Sequence, residues 1–168
     1  MVGRNITIRR IDAESVDAFR RIRLEALSAE PASYASSYED WAAFSAEEWK
    51  QRLSEPVFVA FENNEPVGLI GLLRQRPRKM VHRATIVMVY VRKGLRGGGL
   101  ARNLFQVVTD YARYCGIRQL ELVVSAENLA AIRFYQREGF VAAGRIPNGF
   151  FQDGREIDEI IMVCRLIR

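Results

Sequence analysis

An arginine followed by three glycines, Arg96-Gly97-Gly98-Gly99, stands where an apolar run from Ile86 to Val91 gives way to periodic apolar residues that begin at Leu100. That pattern predicts glycines at a strand-to-helix turn. Such a turn can hold a phosphate, because glycine admits positive φ and close approach of backbone N–H groups, and the first helical turn adds unpaired donors and a positive dipole end. Arg96, with Arg92 and Lys93 before it, adds charge. Gly94, Gly97, Gly98 and Gly99 do not spell the dinucleotide fingerprint G-x-G-x-x-G, and no Gly-Lys-Ser/Thr follows as in a P-loop. Read alone, the stretch is either another kind of phosphate cradle or a glycine turn between packed elements.

Arg96–Ala101 does fit the pattern Q/R-x-x-G-x-G/A, and Asn128-Leu-Ala-Ala-Ile-Arg-Phe-Tyr135-Gln-Arg-Glu-Gly139-Phe140 fits N-x-x-A-x-x-[FL]-Y-x-x-x-G-F at every fixed position. Two blocks in this order and at this spacing resemble the GNAT superfamily of N-acetyltransferases, over about Ile86 to Phe140. The resemblance implies an acetyl-CoA-dependent enzyme that moves an acetyl group to a primary amine of a small molecule, amino acid or peptide by direct attack in a ternary complex, without a metal. It places the pyrophosphate at Arg96, Gly97, Gly98, Gly99, Leu100 and Ala101. A backbone N–H of Val89, Tyr90 or Val91 would polarise the thioester carbonyl, Asn128 would lie near the pantetheine part, and Tyr135 would be the catalytic acid beside the sulfur.

Seven helical positions make almost two revolutions, so Asn128 and Tyr135 share a face roughly 10 Å apart along the axis, with small Ala131 between them. From the helix alone Tyr135 also reads as a core tyrosine. Its unperturbed pKa, near 10, exceeds the roughly 8.5 of a thiol, so donating a hydrogen bond is easier than full proton transfer. Many family members carry a Glu on the strand corresponding to Arg83–Val91, and this chain has none there. Glu39, Asp40, His82, Glu121 and Asp158 all stay open as the base. That departure motivates an alternative, an acyl-CoA-binding sensor with little turnover.

The elements that must position these residues follow from periodicity. Asn5 to Ile11 alternates as a strand, and Val16, Phe19, Ile22, Leu24 and Leu27 recur at helical spacing up to Pro31, with Asp12 or Ser15 as cap. Ala32 to Phe44 reads as an aromatic flap, and Ser45 with Glu48 opens a short helix ending near Leu53. Strands Val57–Phe61, Val67–Leu73 and Arg83–Val91 precede the glycine loop; a helix with the stripe Leu100, Leu104, Val107, Val108 and Tyr111 follows and closes at Gly116. Strand Leu120–Val124 should lie parallel to Arg83–Val91 through a right-handed crossover. A helix within Ser125–Gly139 and strands Phe140–Ile146 and Glu156–Leu166 complete the order β-α-α-β-β-β-α-β-α-β-β, and Ile160–Val163 should be covered on both faces. The expectation is an α/β (α+β) fold: a single GNAT-like domain over residues 1–168, with a mixed, mostly antiparallel twisted sheet of about seven strands and flanking helices.

Composition sets the remaining bounds. At 168 residues and 49% hydrophobic the chain can bury a core. It shows neither a signal-peptide core nor an apolar run of roughly 20 residues, which predicts a cytoplasmic protein with no membrane partner. Cys115 and Cys164 read as free thiols. The net charge of +5 chooses no partner by itself. The basic stretch Arg74–Lys79 with His82 and Arg83 has no interleaved aromatics to stack on bases, so it reads as a solvated hairpin tip and no nucleic-acid partner is expected. A homodimer stays open. By the family resemblance, Ala32–Phe44 and Ile146–Asp158 would wall the acceptor, and their aromatics and acids, among them Tyr34, Tyr38, Trp41, Phe150, Phe151, Asp153 and Glu156, would suit a cationic amine.

Overall fold

Seven strands, β1 (Ile6–Arg10), β2 (Val57–Glu62), β3 (Glu65–Arg74), β4 (Arg83–Val91), β5 (Gln119–Ser125), β6 (Val141–Gln152) and β7 (Arg155–Arg165), form one sheet in the order β1-β2-β3-β4-β5-β7-β6. This computed structural model describes residues 4–166. All neighbours pair antiparallel except β4 and β5, which run parallel as the crossover requires.

Alternation sends successive residues of the central strands to opposite faces, and each face has its own core. Leu69 packs with α1 (Val16–Ala29), α2 (Tyr38–Ala42) and α3 (Ala46–Arg52), through Phe19, Trp41 and Trp49. Ile70 packs on the other side with α4 (Leu100–Tyr114), through Leu104, Phe105 and Val108, and with α5 (Leu129–Arg137). The stripe of α4 is wide enough to bury Phe105 and Ala112 as well. Gly116, at φ +78°, ends the helix so that the Ile117 N–H can donate to the Ala112 carbonyl. No helix among the described residues is long and apolar enough to cross a membrane.

Three differences from the expected elements have physical causes. The aromatic flap contains a helix of its own, α2, because Ser37 and Asp40 cap each other as Ser45 and Glu48 do in α3, so three helices and not two separate β1 from β2. β6 extends six residues past Ile146 to Gln152, absorbing the extra length in register shifts, and turns at Asp153-Gly154. Of Ile160–Val163 only Met162 is fully buried, because α1, α2 and α3 cover the sheet at β2–β4 and leave that side of β5 and β6 open, as exposed Val123 and Val141 show.

The parallel pairing is short. β4 and β5 match only over Arg83–Thr85 and Gln119–Glu121, and the strands part from Ile86 onward. At the closed end, Arg83 grips Glu121 with two hydrogen bonds, one of 2.8 Å from Nη2 to Oε1. That grip holds the mostly buried Glu121 carboxylate below its usual 4.5. A carboxylate lowered in the folded state contributes stability in full above the unfolded value and loses it as pH falls through the folded one. Thermal denaturation across the acid range should show wild-type melting temperature dropping more steeply below pH 4.5 than that of Glu121→Gln.

Candidate active site

Where β4 leaves β5 a cleft of about 870 Å³ opens, and its floor is a distorted piece of β4. Leu69 pairs with Tyr90 and Gly71 with Val87, so Met88 and Val89 together stand opposite Ile70. This is a β-bulge, with Met88 at φ +58°. Gly71 makes room for it, since a Cβ there would meet Met88 Cε and come within 3.0 Å of Val87 Cγ2. The bulge leaves the Val89 carbonyl free to accept a 2.7 Å hydrogen bond from the hydroxyl of Tyr34. Burial pushes the Tyr34 hydroxyl far above its ordinary value, so it stays a donor.

The top of β4 is pinned to α1. The Tyr90 hydroxyl donates to Glu25 at 2.9 Å, and Arg92 holds the same carboxylate at 2.6 and 3.1 Å. Burial and the Glu25 charge push Tyr90 up to about 12. The side chain of Tyr90 thus supports the strand from behind, and only its backbone belongs to the cleft's chemistry. The Val91 carbonyl accepts from Arg96 Nε at 3.0 Å, while Arg96 Nη2 pairs with Glu30 at 2.6 Å. Arg96 therefore stitches the glycine loop to β4 and α1, with its charge already matched.

Gly97 and Gly99 have φ of +83° and +87°, and a Cβ on either would find no atom within 4 Å. Gly99 is the N-cap of α4 and offers no side-chain acceptor, so the first N–H groups of the helix face open space beside a positive dipole end. Gly98 has ordinary φ and sits over the Leu95 carbonyl. Across the cleft, Asn128 caps α5 by accepting from the Ala131 N–H at 3.2 Å through Oδ1, leaving its amide N–H donors uncommitted. Tyr135 is held among Phe105, Phe134 and Phe140 at ring separations of 5.7–6.0 Å. Burial pushes its phenol up to about 12, and its hydroxyl has no hydrogen-bond partner among the described residues. Of the residues expected to hold the acetyl donor or to act on it, all but Gly98 line this one cleft.

The candidate bases fare differently. None of Glu39, Asp40, His82, Glu121 and Asp158 reaches the cleft. Asp40 caps α2, Glu121 is held by Arg83, and Asp158 accepts from Arg145 at 2.7 Å and from the Asn148 N–H at 2.8 Å. The acids that do line it are Glu30, paired with Arg96, Glu55, paired with Arg74 and Arg76, and Glu159. Glu159 has no ion-pair partner among the described residues; it lies next to Asp158 on β7, so strand alternation sends the two to opposite faces. Of the expected acceptor-side aromatics, Tyr34, Trp41 and Phe150 line the cleft, while Tyr38 and Phe151 are exposed elsewhere. Two arginines not expected there, Arg23 and Arg52, complete that wall.

Residues 17–140 match the acetyltransferase (GNAT) family. The chain is similar to a mycothiol acetyltransferase of Brachybacterium faecium, 28% identical over 66% of this chain and 35% of that protein. It is also similar to a spermidine N(1)-acetyltransferase of Vibrio cholerae, 31% identical over 54% of this chain and 53% of that one. The chain thus spans between a third and about half of the length of these two relatives. Among solved structures, an acetyltransferase of the GNAT family from Streptococcus pneumoniae superposes with a TM-score of 0.86, covering 96% of this chain and all of that one at 22% identity, which is a likeness of fold.

Proposed function

This chain belongs to the acetyltransferase (GNAT) family, and we propose that it is an acetyl-CoA-dependent N-acetyltransferase acting on a primary amine. The observation that carries the reading is the convergence of an open N–H cradle at Gly97–Gly99, a bulged strand at Met88–Val89 and an unpartnered phenol at Tyr135 on one cleft. These residues fit the cofactor by their chemistry. Backbone donors at the start of α4 suit a pyrophosphate, and the free amide donors of Asn128 suit the amide-bearing arm.

Acetyl-CoA, when bound, supplies an acetyl group activated as a thioester. The work left to the protein is positional and electrostatic. A backbone N–H of Val89, Tyr90 or Val91, beside the bulge, would be the donor for the thioester carbonyl oxygen. Tyr135, protonated at neutral pH at its ordinary value and more so when burial raises it, would be the hydrogen-bond donor to the departing sulfur. Glu159 is the lining carboxylate free to take the proton of the incoming amine, directly or through a water. Thiol release from acetyl-CoA in the presence of primary amines tests the activity as a whole.

The cradle is tested with two near-isosteric side chains that both tolerate the backbone conformation of Gly99. Gly99→Asp should weaken acetyl-CoA binding by about tenfold or more relative to Gly99→Asn, as read by calorimetry, because only the aspartate sets a negative charge against the pyrophosphate. Equal affinities would remove the loop from the binding site. Tyr135→Phe should hold acetyl-CoA with near wild-type affinity and turn over about 10²-fold more slowly, the usual scale for losing a positioned acid. Wild-type turnover in that variant would assign Tyr135 to packing alone.

A further inference from the structure

Arg23 is the one buried charged residue among the described residues, 3% exposed. It interrupts the apolar stripe of α1 formed by Phe19, Ile22, Ala26 and Leu27. Its guanidinium carbon lies 4.8 Å from the ring centre of Tyr34 and 4.4 Å from that of Trp41. The ring faces answer its charge through their quadrupoles, but they offer none of the oxygen acceptors that its N–H groups need. Nε and Nη1 are buried with no hydrogen-bond partner, and no carboxylate among the described residues forms an ion pair with it. Buried donors without partners are rare in native proteins, and this guanidinium is also part of the cleft lining. Arg52 brings a second guanidinium to the same Trp41 ring, at 4.9 Å. Burial, aided by Arg52, pulls Arg23 down to about 10, which still leaves it charged at neutral pH.

Both arginines line the cleft beside the bulge. Tyr34 ties this corner to the reacting strand, since its ring stacks on Arg23 while its hydroxyl holds the Val89 carbonyl. The nearby lining acids Glu30 and Glu55 are consumed by Arg96, Arg74 and Arg76, so they leave the positive corner unanswered. Glu159, unpaired, lines the same cleft. The lining therefore offers an unpaired buried cation and an unpaired anion together, while the unpaired lining arginines outside this corner, Arg102 and Arg137, are exposed on α4 and α5. We propose that Arg23 anchors a carboxylate of the acceptor, so that the substrate class is a small amine that also carries a carboxylate, such as a free amino acid, with its amine directed toward Val89 and Glu159. This rests on the acetyltransferase reading and adds the acceptor to it.

The test uses a panel of the common L-amino acids, their carboxamides and their decarboxylated amines, with thiol release from acetyl-CoA as the readout and acetyl-CoA affinity measured separately. The expected result is kcat/KM for at least one amino acid about 10²-fold or more above both of its carboxylate-free analogues, as for a site whose buried donors are left unpaired by the wrong substrate. Arg23→Met should erase that preference, mainly through acceptor KM, with acetyl-CoA affinity unchanged, and Arg23→Lys should restore part of it. Carboxamides or plain amines used as well as the amino acids would overturn the proposal, and so would a preference that survives in folded Arg23→Met. If Arg23→Met does not fold, the wild-type panel decides. Acetyl-CoA binding with turnover of carboxylate-free amines only would sink the carboxylate anchor and leave the acetyltransferase standing; no binding or no turnover with any amine would remove both.

Discussion

β4 and β5 run together for three residue pairs and then separate, and a sheet that opens in its middle must do something with the backbone groups it strands. Buried N–H and C=O groups without partners are costly, so each has to be answered by another part of the chain or by a ligand. Here the Val89 carbonyl is answered by Tyr34 from the segment after α1, and the Val91 carbonyl by Arg96 from the glycine loop. The two walls of the cleft are thus drawn in by the strand's own unmet hydrogen bonds. Arg83 and Glu121 keep the opening from running further down the strand pair.

The charges around the cleft follow the same accounting by position. A net +5 reads as a basic surface, yet the arginines nearest the opening are mostly spoken for: Arg92 by Glu25, Arg96 by Glu30, Arg74 and Arg76 by Glu55. Several of these pairs are solvent-exposed and contribute little stability. Their consequence is electrostatic sorting, because what remains unmatched on the lining is Arg23 with Arg52 beside the bulge, the exposed Arg102 and Arg137 on α4 and α5, and Glu159. A formal count over the whole chain cannot reveal that pattern.

The succession of strands along the chain, the parallel crossover and the grouping of the glycine loop with Asn128 and Tyr135 on one cleft are legible, because they rest on local signals: apolar periodicity, a glycine run at a strand-to-helix boundary, and a helix carrying Asn128 and Tyr135 at two-turn spacing. The bulge at Met88 is not. Its residue has no turn chemistry, and a positive φ there is imposed by the partner strand, in which Gly71 leaves room, so it depends on a pairing that period-2 reading does not see. α2 stayed hidden because its capping box uses Asp40 in place of Glu or Gln and is only five residues long. In the sequence Arg96 is a free charge beside the glycines, whereas in the fold a long-range pairing with Glu30 commits it. The base candidates lie outside the cleft for a related reason: preferring Glu159 to Asp158 requires knowing which face of β7 looks into the cleft. Arg23 did leave a signal, an arginine four residues from both Phe19 and Leu27 on the buried stripe, and a charge at such a position needs a partner that sequence periodicity cannot name.

Tyr34 shows how the two halves of the site are made one object. Its hydroxyl is buried, stays protonated and must therefore donate, and the acceptor it finds is the carbonyl at the bulge. Its ring is a face of the cage around Arg23. The spacing between the positive corner and the parted strand is then set by one rigid aromatic side chain with few torsions to vary. A flexible loop carrying the same arginine would leave that spacing to chance, and the effective concentration of an amine at the strand would fall accordingly. The helix-borne arginine, the ring and the bulge constrain one another, so the geometry that positions an acceptor is the same geometry that satisfies the opened sheet.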